Sequence, residues 1–248
     1  MVLSDGIKTI TVFTDQSPYS ICFEQGPAGL AALRPGVDAV VIVDVLSFTT
    51  CVDVALARRA FVVPCASREE AAALTQTRGA ILAGARDTGG YSLSPSSLLA
   101  LPEGTRLILT SPNGAVLSLA ARDIPCFAGC FRNAESVARA ASSVGPRVAV
   151  IAAGERWPDG SLRPAVEDML GAGAVIHHLL GPKSPEAELA ESAFLRFRDR
   201  LADTLHDCSS GRYLVERGYA RDVDIAAAYN VSATAPRLLS GAFVSTDD

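Results

Sequence analysis

The sequence is poor in several residue types that would commit it to a particular chemistry. It holds one Trp, two Met and three His, and aromatic residues make up only 6% of it. Its six cysteines, Cys22, Cys51, Cys65, Cys126, Cys130 and Cys208, form no CxxC pair. Cys126 and Cys130 are spaced like a loose metal pair, but no second pair or His cluster follows. Several of the thiols lie in apolar runs, where Cys behaves as a small hydrophobe, so they read as reduced core residues. His177 and His178 are adjacent and on a helix do not share a face; with no HExxH pattern they read as structural. The absence of GxxxxGK[ST] and GxGxxG argues against a nucleotide-phosphate loop and against a dinucleotide-dependent enzyme. No GxSxG elbow is present. Basic residues are outnumbered, 22 Lys and Arg against 27 Asp and Glu, for a net charge of −5, so a nucleic-acid partner is not expected. No run approaches the roughly 18 apolar residues of a membrane helix. The opening residues, 1–8, lack a basic stretch followed by an apolar one. The expectation is a cytoplasmic protein with no membrane partner.

What is present is ordinary globular material: 248 residues, 49% hydrophobic and 20% charged. A chain of this length buries a large core, as one α/β unit over 1–248 or as two tightly packed halves of about 1–125 and 126–248. Short Val-, Ile- and Leu-rich runs occur at 10–13, 39–45, 61–63, 80–83, 106–109, 126–128 and 148–152. Most are continuous rather than alternating, as strands buried on both faces are. Between them lie helical patterns. Ser67 with Glu70 makes a capping box; further helices are expected from Asn113, from Asn133, over 164–180 and over 184–205. Strands alternating with helices predict a three-layer α/β/α fold with a mainly parallel sheet. The long polar stretch 86–97 is a candidate active-site loop.

Three segments carry the candidate chemistry. In Asp44-Val-Leu-Ser47-Phe-Thr49-Thr50, a carboxylate ends a buried strand and hydroxyls follow where a helix begins. Ligands of open α/β sheets bind at such strand ends. A carboxylate there would repel a phosphate unless a cation sits between them, and Mg²⁺ favours one or two carboxylates with phosphate oxygens and water. The plainer alternative is that Asp44 caps the helix. Ser111-Pro112-Asn113-Gly114 repeats the strand–turn–helix pattern, with Asn113 and the Gly114 backbone facing a ligand or, alternatively, only capping a helix. The third segment crowds Glu155, Arg156, Asp159, Arg163, Glu167 and Asp168 beside Trp157. Acids in a helix's first turn also suit its dipole, but the cluster fits a metal-plus-anion site. Arg132, in Phe131-Arg132-Asn133, follows a further strand end and is placed to meet an anion.

Taken together, Val-Asp44-Val-Leu-x-x-Thr49-Thr50, Asn113-Gly114, Phe131-Arg-Asn133-Ala134, Glu167-Asp168, Gly211-Arg212-x-Leu214 and Asp222-Val223 resemble the 2-phosphosulfolactate phosphatase family, the ComB-like proteins. The likeness spans roughly 40–223. It implies an α/β/α fold with an internal duplication and a Mg²⁺-dependent phosphatase acting on the phosphate ester of a small 2-hydroxy acid, in coenzyme M biosynthesis. Residues matching by position are Asp44, Thr49, Thr50, Asn113, Gly114, Asn133, Glu167 and Asp168. Asp44, Glu167 and Asp168 are the expected catalytic and metal-holding groups. Ser47, Arg132, Arg156 and Arg163 join the threonines, Asn113, Gly114 and Asn133 as expected substrate-binding groups. The expected partner is the small substrate, and a homodimer is left open. Two departures stand out: Ser47-Phe48 where the family pattern has Arg-Ala, and Ala85 and Ser92-Leu-Ser94-Pro95 where it has Glu and Gly-Asn-Ser-Pro. With no Arg at 47, the reading expects weaker use of phosphosulfolactate than of a less charged phosphorylated hydroxy acid. The competing reading is a non-catalytic anion-binding or scaffold protein of the same fold.

Overall fold

The computed structural model describes residues 13–245. Its strands and helices, in order, are β1 (Ile21–Gln25), α1 (Gly26–Leu33), β2 (Ala39–Val43), α2 (Phe48–Ala57), β3 (Phe61–Cys65), α3 (Arg68–Arg78), β4 (Ile81–Leu82), α4 (Pro95–Leu98), β5 (Arg106–Thr110), α5 (Gly114–Ala120), β6 (Cys126–Gly129), α6 (Ala134–Val144), β7 (Val148–Ala152), β8 (Glu155–Arg156), β9 (Leu162–Arg163), α7 (Val166–His178), α8 (Pro185–Phe197), α9 (Leu201–Asp207), α10 (Ser209–Glu216), α11 (Ala220–Ala227), β10 (Arg237–Leu239) and β11 (Ala242–Val244). Nine strands form one sheet in the order β1-β7-β2-β6-β10-β11-β3-β5-β4, and β8 pairs with β9 apart from it.

The continuous apolar runs are strands buried on both faces. Along β2, Val41 and Val43 enter one core cluster while Val40 and Ile42 enter the other. Along β7, Val148, Val150 and Ala152 face the first, and Ala149 and Ile151 the second. Side chains alternate along a strand, so helices must cover both sides. Residues of α6, α7 and α8 line the first cluster, and residues of α1, α2 and α5 the second. This is the α/β architecture with a large, mostly parallel sheet that the strand–helix alternation predicts.

The sheet is two parallel blocks and a bridge. β1, β7, β2 and β6 pair in parallel, as do β3, β5 and β4. The β10–β11 hairpin is antiparallel to both neighbours, through Arg237 against Phe127 and Phe243 against Val62. Three antiparallel junctions leave the blocks running in opposite senses. β1 and β2, from before residue 125, share a block with β6 and β7, from after it. Phe48 of α2 and Phe243 of β11, both fully buried, pack edge to face at 6.2 Å and fix the bridge to the start of α2.

Several local expectations are met and others displaced. Ser67 Oγ accepts the Glu70 amide and starts α3. The helix expected over 184–205 is two helices separated by a 3-10 turn at Arg198–Arg200; Phe194, Leu201 and Leu205 still reach the same core cluster. The stretch 86–97 carries a 3-10 turn at Arg86–Thr88 and runs into α4. Of the run expected at 10–13, residues 10–12 lie outside the described residues, and Phe13 is in a turn and fully exposed. All six cysteines are free, five of them buried, and burial pushes the Cys126 and Cys130 thiols up to about 12. Among the described residues, no helix is long and apolar enough to cross a membrane.

Candidate active site

The ends of β2, β5 and β7 meet at the first turn of α7. Asp44 follows β2 and is 6% exposed. The Phe48 N–H donates to its Oδ1 at 3.1 Å. The Gly114 N–H, beyond β5, donates to Oδ2 at 2.8 Å, and Ser111 Oγ approaches the same oxygen at 3.3 Å. Gly114 is required there: a Cβ would lie 2.6 Å from Asp44 Oδ2 and 2.5 Å from Phe48 Cδ1. Asp44 therefore does cap α2, and through its other oxygen it also joins the two parallel blocks.

Asp168 ties the same region from the other side. The Val45 N–H donates to its Oδ1 at 2.7 Å and the Gly154 N–H to its Oδ2 at 2.8 Å. Gly154 has φ +68°, and a Cβ on it would meet Leu162 Cδ1 at 2.6 Å. Glu167, 2% exposed, lies beside the Cys208 thiol and close enough to Asp44 and Asp168 to act on both. Glu155 follows Gly154 and accepts a hydrogen bond from Asn113 Nδ2 at 2.9 Å.

The electrostatics follow from crowding acids where water is scarce. Burial raises the Asp44 pKa, opposed by the Phe48 and Gly114 amides and the Ser111 hydroxyl and reinforced by Glu167. Burial lifts Asp168 well above the carboxylate range, with Asp44 and Glu167 adding to it. Burial also raises Glu155, with Asp44 as the next cause. Buried like charges disfavour ionisation unless a cation offsets them. Hard oxygen donors around such a deficit suit a divalent cation such as Mg²⁺. Among the described residues no group of three or more His, Cys, Asp and Glu side chains is placed to hold a metal ion. Mg²⁺ does not need one, because it keeps waters and takes one or two carboxylates plus substrate oxygens.

A cleft of about 540 Å³ lies at this end of the sheet, with Leu46, Trp157, Tyr213 and three arginines, Arg86, Arg156 and Arg163, among its lining; of the four acids, Glu155 lines it. The expected residues thus divide. Asp44, Gly114, Glu167 and Asp168 are brought together, Asn113 joins them through Glu155, and Arg156 and Arg163 stand on the cleft wall. Thr49 and Thr50 are fully buried and donate to the Asp44 and Val45 carbonyl oxygens, each at 2.8 Å, shaping the turn. Ser47 accepts a hydrogen bond from Arg86 Nη2 at 2.7 Å. Arg132 Nε donates to the fully buried Asp53 at 2.6 Å. Asn133 folds back onto its own turn, accepting the Cys130 N–H at 2.9 Å. Ser111 and Glu155 enter the region from inside the segments read as candidate chemistry, and Arg86 from the start of the stretch 86–97 read as a candidate active-site loop.

An α/β sheet with buried carboxylates at converging strand ends, opening onto an arginine-lined cleft, has the form of an enzyme for small anionic compounds. The comparisons make this specific. The model of the 2-phosphosulpholactate phosphatase family matches residues 32–241. Similar proteins include the 2-phosphosulfolactate phosphatase of Methanothermobacter thermautotrophicus, 31% identical over 79% of this chain and 84% of that protein. The probable 2-phosphosulfolactate phosphatase of Symbiobacterium thermophilum is 31% identical over 74% of this chain and 83% of its own length. That of Carboxydothermus hydrogenoformans is 32% identical over 80% and 85%. The chain belongs to the 2-phosphosulfolactate phosphatase family.

Proposed function

We propose that this chain is a phosphoric monoester hydrolase acting on the phosphate ester of a small 2-hydroxy acid, with 2-phosphosulfolactate as the substrate and Mg²⁺ as the cofactor. The observation that carries the reading is the buried acidic cluster of Asp44, Glu167 and Asp168 at the strand ends of a chain in this family. Asp44 and Glu167 are the groups to hold the cation. Asp168 joins them; like Asp44 it has both oxygens on backbone amides, and it also holds the turns after β2 and β7 in register. A bound Mg²⁺ would offset the charge of the phosphoryl oxygens and of the leaving alkoxide. The Gly114 amide and Ser111 hydroxyl keep the Asp44 carboxylate aimed across the gap between the blocks. Asn113 holds Glu155 at the rim, where the leaving group departs. Leu46, Trp157 and Leu214 give the cleft wall an apolar part.

The test is phosphate release from 2-phosphosulfolactate, phospholactate, 2-phosphoglycolate and sugar phosphates, with Mg²⁺ and with EDTA. Mg²⁺-dependent hydrolysis of the hydroxy-acid esters is the expected result. Full activity in EDTA would remove the metal from the proposal, and no hydrolysis of any ester would favour the non-catalytic anion-binding reading.

A further inference from the structure

The three arginines of the cleft share an unusual property: their hydrogen bonds go to neutral oxygens. Arg163 Nη2 donates to Ser210 Oγ at 2.8 Å. Arg156 donates to the Gly160 and Pro112 carbonyls, both at 3.3 Å. Arg86 Nη2 donates to Ser47 Oγ. Buried or half-buried guanidinium groups are ordinarily matched by carboxylates, as Arg132 is by Asp53. Here no carboxylate accepts a hydrogen bond from them, although Asp222 lies 3.7 Å from Arg86 Nε and Arg163 is close enough to act on Glu155.

Arg86 stands apart within this group. Its hydrogen bond to Ser47 places it on the very turn that carries Asp44. Its ring neighbour is Tyr219, whose centroid is 5.4 Å from the guanidinium carbon. Its Nε and Asp222 Oδ2 are both buried without a hydrogen-bond partner, and they face each other at 3.7 Å. The other Asp222 oxygen accepts from Ser94 Oγ at 2.8 Å and the Ser96 amide at 3.1 Å. Asp222 is thus fixed and orients one edge of the guanidinium, while no hydrogen bond of the described residues engages Nη1.

We infer that Arg86 is the specificity-determining residue of the site: it binds the acid group of the substrate that is not hydrolysed, with Asp222 and Tyr219 as its positioning residues. The inference rests on the phosphatase reading and deepens it. A phosphorylated hydroxy acid carries two anionic ends. The phosphoryl end belongs at the acidic pole, where a cation mediates its contact with Asp44. The remaining carboxylate or sulfonate would be repelled by Glu155, Glu167 and Asp44, and the arginine wall beside them is where it is stabilised. A guanidinium with Nη1 still unengaged is a donor well matched to such a group.

The test compares wild type, Arg86→Ala and Arg86→Lys with 2-phosphosulfolactate and with glycerol 2-phosphate, an ester carrying hydroxyls where the acid would be. One charge-assisted bidentate contact is worth about 10- to 100-fold in affinity. Arg86→Ala is expected to raise KM for the acid ester by that factor with a smaller change in kcat. It should also lower the preference for the acid ester over glycerol 2-phosphate by a comparable factor, and Arg86→Lys should restore only part of it. An unchanged KM and unchanged preference in a folded Arg86→Ala protein would overturn the inference. Calorimetric binding of 3-sulfolactate separates this from failure of the phosphatase reading. If wild type hydrolyses neither ester, binding that is lost in Arg86→Ala still supports the subsite, and binding equal in both, or absent from both, overturns it.

Discussion

After β5 the chain runs Ser111-Pro112-Asn113-Gly114 into α5, and after β6 it runs Phe131-Arg132-Asn133 into α6. Both are strand–turn–helix passages with an Asn just before the helix. In the first, Gly114 and Asn113 reach outward, to Asp44 of the other block and to Glu155. In the second, Asn133 bonds its own turn and Arg132 reaches Asp53 of α2, whose second oxygen takes Thr234 Oγ1 at 2.5 Å. Two turns of one pattern have divided the labour, one facing the site and one locking the scaffold. What separates them is whether the polar groups are satisfied locally or left to meet something across a gap.

Four changes would break or sharpen that contrast. The largest effect is expected from Asp44→Asn. Asn can keep the Phe48 cap, but its NH2 would face the Gly114 N–H, so about 1–3 kcal/mol of stability should be lost; with a cation ligand gone, activity of the folded protein should fall on the order of 10³-fold, about 4 kcal/mol. Wild-type turnover with wild-type Mg²⁺ affinity would reduce Asp44 to a cap. Arg132→Met should act on the other side of the contrast, removing about 3–5 kcal/mol of stability by leaving Asp53 buried and unpaired. Denaturant melts measure that loss, and kcat of the folded fraction should stay within a few-fold of wild type.

Gly114→Ala ranks next. Its methyl would press on Asp44 Oδ2 and the Phe48 ring, and a roughly 10- to 100-fold loss in kcat/KM is expected from the displaced carboxylate. A neutral outcome would mean that the Asp44–Gly114 contact tolerates separation. The smallest effect concerns pH. Asp44 and Asp168 are raised in the folded state, mainly by burial. They hold protons more tightly folded than unfolded, so their contribution is complete below the ordinary carboxylate range near pH 4 and is lost as pH rises through the raised values. In EDTA the melting temperature should therefore decline with rising pH above that range, and Asp168→Asn should flatten the slope. Added Mg²⁺ should stabilise the wild type more at pH 8 than at pH 5. A decline that is the same in wild type and Asp168→Asn would acquit the cluster.

Much of the scaffold was legible because double-sided burial leaves a plain mark. The runs at β2, β3, β5, β6 and β7 are continuous and apolar, and Ser67 with Glu70 marks the start of α3. β1 was missed because Ile21–Gln25 ends in polar residues, and the β10–β11 hairpin because its strands are only three residues each. The break between α8 and α9 carries no Gly or Pro, so only tertiary packing reveals it. In the site, Asp44, Asn113, Gly114, Glu167 and Asp168 were legible as polar residues at strand ends and helix starts. What sequence could not show is direction. Arg132 and Arg86 look alike as letters, yet one donates to a buried carboxylate and the other, although Asp222 lies 3.7 Å away, donates to Ser47 beside an open cleft. The missing Arg at 47 suggested a lost anchor, whereas the Ser47 hydroxyl receives a guanidinium from a residue 39 positions later.

The β10–β11 hairpin has a temporal meaning as well. It joins the two blocks, and Asp44 and Gly114 meet across them, yet among the described residues the hairpin is the last pair of strands in chain order. During synthesis both blocks can begin to assemble from segments already outside the ribosome. Their alignment waits for residues 237–244, so a nascent chain that has not yet reached that hairpin carries the Asp44 and Gly114 turns without the register that brings them together.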